Sequence, residues 1–322
     1  MRSVLVLADD LTGALEAGVL LEGAAVVLHS APEGGAVVID TESRHLAPDQ
    51  AGRAIAAWIE QIPAELIYKK TDSTLRGNIG AELAALPPGR IHYAPAYPRL
   101  GRTVRGGKLF VNGEPVERTP FARDPLDPVT DGDIRRVLAR QGAPLGRITV
   151  HEGETDACLE RAAGALLAEP PPRLAAGPAG LLAVLARRLK LARRASPLPR
   201  VERCLVINGS AHPAALAQME TAAAAGVFSH GWRAAGVEDP VPDDAAWIIF
   251  GGGTAREVLR RSGDPPLLPF AEPLPGVVAS WMGTTGGRLM ITKAGGFGPP
   301  DLLVRLSGML RRADPGQGNR PK

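Results

Sequence analysis

The stretch ADDLTGA at residues 8–14 sets two carboxylates, Asp9 and Asp10, directly after a β-branched apolar run, Ser3 to Ala8. A strand that ends there puts both acids at the carboxyl edge of an α/β sheet, where such folds hold ligands. Adjacent carboxylates at that edge can orient a substrate hydroxyl, accept its proton, or hold a divalent cation through water. One of them can equally well do no more than cap the helix that begins at Thr12. A second polar cluster, KKTDSTLRGN at 69–78, gathers Lys69, Lys70, Asp72, Ser73, Thr74, Arg76 and Asn78 behind another apolar run. Arg76 offers a planar fork to a carboxylate or phosphate, Lys69 or Lys70 a point charge, and Asp72 a grip on a sugar hydroxyl or on the arginine itself. A solvated loop with ordinary helix caps would use the same Asp, Ser and Thr. Arg44 in TESR and Arg99, Arg102 and Arg105 in PAYPRLGRTVRGGK add cations in loops expected near the same edge. Taken together, the set favours a polar, anionic substrate.

Three glycine turns stand in the second half: Asn208-Gly209-Ser210, Gly251-Gly252-Gly253-Thr254, and Ala294-Gly295-Gly296-Phe297-Gly298. Each follows a strand pattern and the first two lead straight into a helical one, so that glycine lets the backbone approach a ligand and free N–H groups face it. Three such turns at one sheet edge suggest a nucleotide-phosphate cradle; tight βα turns without a ligand would read the same way. There is no GxxxxGK[ST] and no GxGxxG after a strand, which excludes a P-loop enzyme and a recognisable dinucleotide-binding dehydrogenase. The six histidines show no metal-ligand spacing, and the HEGE run at His151 reads as solvated surface. Without a GxSxG elbow, Ser210 has no support as a hydrolytic nucleophile.

The elements that must carry these residues alternate between strand and helix. In the first half Ser3 to Ala8, Ala25 to Leu28, Val37 to Ile39, Leu66 to Lys69 and Ile91 to Tyr93 read as strands, and Thr12 to Leu21, Pro48 to Ile62 and Asn78 to Leu86 as helices. From Ala94 to Pro128 helical periodicity disappears, with a hairpin signal at Leu109 to Glu114. Helices resume near Asp131 to Gln141 and Thr155 to Ala168, the stretch Leu181 to Arg194 is rich in Ala, Leu and Arg, and strand–glycine–helix units begin at Cys204, Trp247 and Leu289. The tail Asp314 to Lys322 is expected to be mobile.

With 322 residues the chain has room for two domains, and 45% hydrophobic against 22% charged residues is the composition of a globular protein. The net charge of +3, carried by 31 Arg and six Lys against 34 acids, is spread along the chain and makes no nucleic-acid stripe. Two distant cysteines, Cys158 and Cys204, build neither a disulfide scaffold nor a zinc site. The first ten residues are too short an apolar run for a signal peptide, and no run is long enough to cross a membrane. A cytoplasmic α/β protein is therefore expected.

In chain order, ADDLTGA, DTESR, KKTDSTLRGN, PAYPRLGRTVRGGKLFVNG, RTPFARDPLDP, NGS, GGGTA and TKAGGFG resemble the four-carbon acid sugar kinase family, which includes D-threonate, D-erythronate and 3-oxo-tetronate kinases. The resemblance covers nearly the whole chain. It implies two α/β domains, each a mainly parallel sheet flanked by helices, with an active-site cleft between them: residues 1–150 binding the acid sugar and 151–322 binding ATP, with Mg²⁺. Carried over by position, it implies Asp10 and Asp9 as the catalytic pair, and Arg44, Lys69, Asp72, Arg76 and Arg102 as the substrate-binding set. Ser210, Gly251, Gly252, Gly253, Thr254, Gly295 and Gly296 are implied as the nucleotide site, with no metal ligand assigned.

Two positions and one spacing depart from the family pattern. Gly253 stands where an acidic residue is expected, and Glu16 where Asp is usual. Only about forty residues separate Ser210 from Gly251, a span that is much longer in the family, so the nucleotide domain reads as shortened. The sequence expectation is an ATP-dependent kinase of a small sugar acid. The alternatives are a catalytically weak homologue that senses an acid metabolite and a metal-assisted hydrolase built on Asp9 and Asp10. The expected partners are an acid sugar and ATP, with no nucleic acid and no membrane, and a homodimer stays open.

Overall fold

The computed structural model describes residues 2–27, 35–194, 196–236, 245–283 and 287–312. The expected mobile tail, Asp314 to Lys322, and Leu28 at the end of the second expected strand lie outside the described residues. Two compact units divide the chain: Met1–Gly23 with His29–Ala192, and Ala24–Leu28 with Arg193–Lys322.

The strands, in chain order, are β1 (Arg2–Ala8), β2 (Ala25–Val27), β3 (Ala36–Asp40), β4 (Ala64–Lys70), β5 (Ile91–Tyr93), β6 (Arg102–Arg105), β7 (Lys108–Val111), β8 (Glu114–Pro115), β9 (Ile148–Val150), β10 (Arg173–Gly177), β11 (Cys204–Asn208), β12 (Trp232–Ala235), β13 (Ala246–Phe250), β14 (Leu267–Leu274), β15 (Val277–Met282) and β16 (Leu289–Lys293). The α-helices are α1 (Leu11–Gly18), α2 (Pro48–Gln61), α3 (Ile79–Ala84), α4 (Ile134–Arg140), α5 (Asp156–Leu167), α6 (Ala179–Arg188), α7 (Pro213–Ala224), α8 (Gly252–Arg261) and α9 (Leu302–Arg312).

The first unit is built on six parallel strands in the order β3-β1-β4-β10-β5-β9. Val4 to Ala8 of β1 are all buried, the unbroken apolar run that a parallel strand needs when helices cover both of its faces. The chain steps to one side of β1 to make β3 and to the other to make β4. The carboxyl ends of these three strands therefore frame the crevice where open α/β sheets place their ligands. The excursion after β5 forms a small antiparallel sheet, β6-β7-β8. Gly106-Gly107 and Asn112-Gly113 make its two-residue turns, all four at positive φ, as type I′ hairpins require.

The boundary expected at residue 150 is corrected to Ala192/Arg193, and a short insertion, Ala24–Leu28, belongs to the second unit. The physical reason is β10, which lies between β4 and β5, so the first sheet cannot close without residues beyond 150. Its sequence, RLAAG, has no β-branched residue and signals no strand, yet Leu174, Ala175 and Ala176 are buried.

The second unit's sheet runs β12-β11-β13-β16-β15-β14-β2. Its first four strands are parallel and the remainder antiparallel. Its core joins Val206, Ile248, Phe250 and Ile291 to Leu302, Leu303, Leu306 and Leu310 along one face of α9. The spacing of those four leucines is the helical one.

Because Leu174 is 1% exposed in an inner strand, Leu174→Ala is expected to destabilise the protein by about 2–5 kcal/mol. Urea unfolding followed by circular dichroism checks this; a change below about 0.5 kcal/mol, the scale of a surface substitution, would place β10 outside the core.

Candidate active site

At the carboxyl edge of the first sheet the side chains form one chain of alternating charge. Asp10 is the N-cap of α1, its Oδ1 accepting the Gly13 N–H at 2.9 Å. Its Oδ2 is not idle, accepting from Thr12 Oγ1 at 2.6 Å and from Arg44 Nη1 at 2.8 Å. Arg44 Nε donates to Asp9 Oδ2 at 2.7 Å, and its Nη2 lies 3.9 Å from Asp72 Oδ2. Asp72 is in turn held by Arg76, through Nη2 at 2.8 Å and Nε at 3.3 Å, and by the Thr74 N–H at 2.7 Å. Arg76 Nη1 donates to Asp124 Oδ2 at 3.0 Å.

The loops that bring these groups together are fixed by backbone contacts. The Thr41 N–H donates to Ala8 O at 2.8 Å and the Arg44 N–H to Asp9 O at 3.1 Å, zipping the loop after β3 onto the end of β1. Asn78 Nδ2 donates to the carbonyls of Ser43, Arg44 and Leu46 at 3.0, 3.2 and 2.8 Å. Gly13 has no room for a side chain, since a Cβ there would lie 2.7 Å from Asp10 Oδ1 and 3.0 Å from Lys70 Nζ. Glu42 and Leu75 are held at φ of 50° and 70°, strained values of the kind that collect where surrounding contacts over-determine a loop.

Burial and charge oppose one another here, and the charges prevail for two acids. Burial would raise the Asp9 carboxyl, but Arg44, Lys69 and Lys70 outweigh it and hold it below the usual carboxylate range. Asp72 is likewise driven well down, burial being overcome by Arg76 and Arg44. Asp40, at the end of β3, behaves in the opposite way: burial, reinforced by the charge of Asp10, pushes it up to about 8. Its Oδ1 accepts the Glu42 N–H at 3.1 Å. Asp40 Oδ2 and Asp9 Oδ1 are both buried with no hydrogen-bond partner among the described residues.

The cation set implied by the family resemblance divides. Arg44 and Arg76 belong to the charge chain. Lys69 is fully buried, its Nζ 3.1 Å from Glu82 Oε2 and donating to Lys70 O at 2.9 Å, while Glu82 also accepts from Ser43 Oγ. Lys70 pairs with Glu16 at 3.2 Å, so the exchange of Asp for Glu at that position keeps a working counter-charge. Arg102 donates to the Leu100 carbonyl and lies 6.0 Å from the Phe121 ring, which Arg76 also faces at 5.3 Å. Asp40, Ser43, Glu82, Phe121 and Asp124 were not singled out from sequence, although Asp40, Ser43, Phe121 and Asp124 stand inside quoted motifs. A cavity of about 200 Å³ opens beside Arg76 and Gly77, lined also by Asp127, Asp131, Arg140 and Gln141. His151, read as solvated surface, is instead half-buried with its Nε2 3.0 Å from His92 Nδ1, and burial lowers its pKa to about 4.

In the second unit, Asn208, Phe250 and Lys293 end adjacent parallel strands at one level, Asn208 pairing with Phe250 and Phe250 with Lys293. The three glycine turns that follow touch one another. A Cβ on Gly209 would lie 3.1 Å from the Thr254 Cβ, one on Gly295 2.9 Å from the Ser210 Cβ, and one on Gly296 3.1 Å from His212 Nε2. Gly251 adopts φ 100° as the N-cap of α8, leaving the first-turn N–H groups of Gly252 and Gly253 without intrahelical acceptors. A surface of close-packed glycine backbone with outward N–H groups fits a phosphate. A side chain at Gly253 would meet nothing within 4 Å, so the acidic residue expected there is absent for no steric reason. Among the described residues no three His, Cys, Asp or Glu side chains gather as a metal set; Mg²⁺ in phosphoryl-transfer sites usually takes only one or two carboxylates together with substrate phosphates.

This α/β architecture, with a charge chain at one sheet edge and glycine turns at another, has relatives. The model of a family described as a sugar-binding N-terminal domain matches residues 4–221, and the chain belongs to that family. A D-threonate kinase of Salmonella typhimurium is 42% identical over 154 residues, 43% of this chain and 36% of that protein. A D-erythronate kinase of Heliobacterium modesticaldum is 37% identical over 161 residues, 44% of this chain and 36% of its own length. These matches thus span little more than a third of the relatives. A D-threonate kinase of Bordetella bronchiseptica is 29% identical over 398 residues, 95% of this chain and 97% of that protein. Since that alignment is longer than the 322-residue chain, this chain lacks internal segments that the Bordetella protein has. Among solved structures, a Salmonella typhimurium protein superposes with a TM-score of 0.75 at 19% identity, covering 95% of this chain and 99% of that one. A Bordetella bronchiseptica DUF1537 protein, a domain-swapped dimer with bound citrate, superposes with a TM-score of 0.53 at 26% identity, covering 96% and 99%. No helix among the described residues is long and apolar enough to cross a membrane.

Two outcomes follow from the electrostatics. Arg44→Met leaves Asp9, Asp10 and Asp72 without their shared cation and is expected to cost about 3–5 kcal/mol, as does breaking a buried ion pair; denaturant unfolding measures it, and a loss under 1 kcal/mol would reduce Arg44 to a surface contact. Asp40 has a folded pKa of about 8 against 3.8 unfolded, so its contribution to stability is fully present below pH 4 and is lost as pH rises towards 8. Asp40→Asn removes that loss, so the melting temperature of the variant is expected to gain on the wild type steadily from pH 4 to pH 8. A difference that stays flat across that range would show that Asp40 titrates normally.

Proposed function

We propose that this chain is an ATP-dependent kinase that phosphorylates a hydroxyl of a four-carbon sugar acid, with the acid held by the first unit and the nucleotide by the second. The observation that carries the reading is the Arg44-centred charge chain, in which paired carboxylates and fork-bearing arginines meet at the edge of the sheet. Its support also includes the names of the D-threonate and D-erythronate kinases to which the chain is similar. The cavity of about 200 Å³ beside Arg76 suits a molecule of few atoms, being smaller than the ~300–1,000 Å³ typical of drug-sized ligands. Citrate in the Bordetella relative is in keeping with an acid ligand.

Asp10, with 19% of its side chain exposed against 2% for Asp9, is the carboxylate a substrate can reach. Its Oδ2 takes the proton of the reacting hydroxyl, while Arg44 keeps Asp9 ionised and holds Asp10 in place. Arg76 receives the carboxylate of the acid, and Phe121, between Arg76 and Arg102, fixes the plane of the guanidinium. ATP, when bound, supplies the phosphoryl group. Gly252 to Thr254, Ser210 and Gly295 with Gly296 offer backbone N–H and hydroxyl donors to its phosphates, while Gly251, its own N–H held by the Lys293 carbonyl, shapes the turn; positioning and neutralising charge are most of what phosphoryl transfer asks of a protein. A second reading, an inactive homologue that senses the acid, is favoured by one observation, the glycine at position 253.

Purified protein incubated with ATP, Mg²⁺ and D-threonate, D-erythronate or 3-oxo-tetronate is expected to release ADP with at least one of the acids. Asp10→Ala should then lower kcat at least about a hundredfold, the low end of general-base effects. Acid binding by calorimetry without any turnover would select the sensor; turnover undiminished in Asp10→Ala would remove Asp10 as the base.

A further inference from the structure

Lys293 ends β16 and is 1% exposed. Its ammonium donates to Gln218 Oε1 of α7 at 2.7 Å and to the Gly295 carbonyl at 3.1 Å, and stands 4.4 Å over the Phe250 ring. Among the described residues it has no carboxylate partner, in contrast to Lys69 on Glu82 and Lys70 on Glu16. A buried charge without a counter-charge is costly, and it is tolerated where an anion completes the site.

The location supplies the anion's chemistry. Gln218, itself fully buried, donates through Nε2 to the carbonyls of Phe297, Gly298 and Pro299 at 2.9, 3.0 and 3.1 Å. Lys293 and Gln218 together thus draw the carbonyls of the third glycine turn inward. Because the N–H and C=O of a trans peptide point in opposite directions, the Gly296 N–H is turned away from Lys293, and it has no partner among the described residues. The Lys293 carbonyl also accepts the Gly251 N–H at 2.9 Å. One residue therefore ties the second turn to the third.

We propose that Lys293 is the positioning residue of the three-turn cradle, holding its amides outward through Gln218 and Gly295, and that its uncompensated ammonium is the counter-charge a bound polyphosphate completes. This rests on the reading that the second unit takes a nucleotide. Burial lowers Lys293 to about 8, so the free protein is part-deprotonated there, and an arriving polyphosphate draws a proton onto it. The groups facing Lys293 are Gln218 from α7, Phe250 from β13 and Val277 beside it on β15. None of these titrates. His212, near Gly296, accepts the Ala214 N–H on Nδ1.

The test is calorimetric titration of the full chain with ATP at pH 8, in two buffers of different ionisation enthalpy. Wild type is expected to show a buffer-dependent enthalpy, equal to uptake of a fraction of a proton, and an affinity that falls as pH rises past 8. Lys293→Met should weaken ATP at least tenfold and abolish the buffer dependence. Lys293→Arg, which keeps the charge at all pH values, should recover part of the affinity without proton uptake. A merely structural lysine would not move the proton count, so wild type that binds ATP without buffer dependence, or Lys293→Met that binds it with wild-type affinity, overturns this inference alone. Failure of the wild type to bind ATP at any pH overturns it together with the nucleotide reading. Should Lys293→Met not fold, the proton count and pH profile of the wild type decide by themselves.

Discussion

The Arg44 guanidinium is the contact on which the first unit's edge depends. Asp9 and Asp10 follow β1, Arg44 follows β3 and Asp72 follows β4; backbone hydrogen bonds tie the first two of these loops together, and the guanidinium reaches across all three. A single planar fork lies 2.7 Å from one acid, 2.8 Å from the second and 3.9 Å from the third. Lysine, with a point charge and rotating donors, could not span them in fixed directions. The arrangement also explains why the loops carry strained residues: with Asn78 clamping the Arg44 loop through three carbonyls, Glu42 and Leu75 are forced into left-handed backbone that local preference would not choose.

Much of the first unit could be read from its letters. Apolar runs rich in β-branched residues identify β1 and β3, and Asn112-Gly113 marks a hairpin because only residues tolerant of positive φ make type I′ turns. What escaped was β10, whose alanines carry no strand preference and which is held in place by neighbours far away in sequence. Its central position is a fact of tertiary packing, and so the division between the units, which depends on it, falls at Ala192/Arg193 and not where the motifs suggest. The antiparallel pair β14 and β15 was likewise hidden, with Pro269 and Pro273 interrupting the alternation that marks a strand.

The candidate site was legible in its charged residues and less so in its buried ones. Asp9, Asp10, Arg44, Asp72 and Arg76 declare themselves by density and by position after strands. Lys69 declares itself in the same way, yet the structure sets it on Glu82 beneath the surface, a pairing between the end of a strand and a helix that spacing alone cannot disclose. Asp40 and Lys293 were overlooked for one reason. Each is the last residue of a strand, where the pattern reads as framework, and each owes its altered proton affinity to burial, a property of the folded state.

The two units would meet charge in different ways. In the first, side chains are arranged so that acids and bases compensate one another; in the proposed cradle of the second, backbone amides would surround one ammonium that has no acid partner among the described residues. Within the first, Asp9 and Asp40 end up on neighbouring strands with opposite displacements, one kept ionised by Arg44, Lys69 and Lys70, the other kept protonated by burial and by the charge of Asp10. Environments that separate the proton affinities of two like groups are how a site holds an acceptor and a donor side by side at neutral pH. Asp40 Oδ2 is buried with no partner among the described residues, so as a neutral acid it has an O–H or acceptor lone pair left over at the same sheet edge. Burial is the larger cause of the raised Asp40 and the charge of Asp10 the second, so a change made at Asp10 is felt at Asp40.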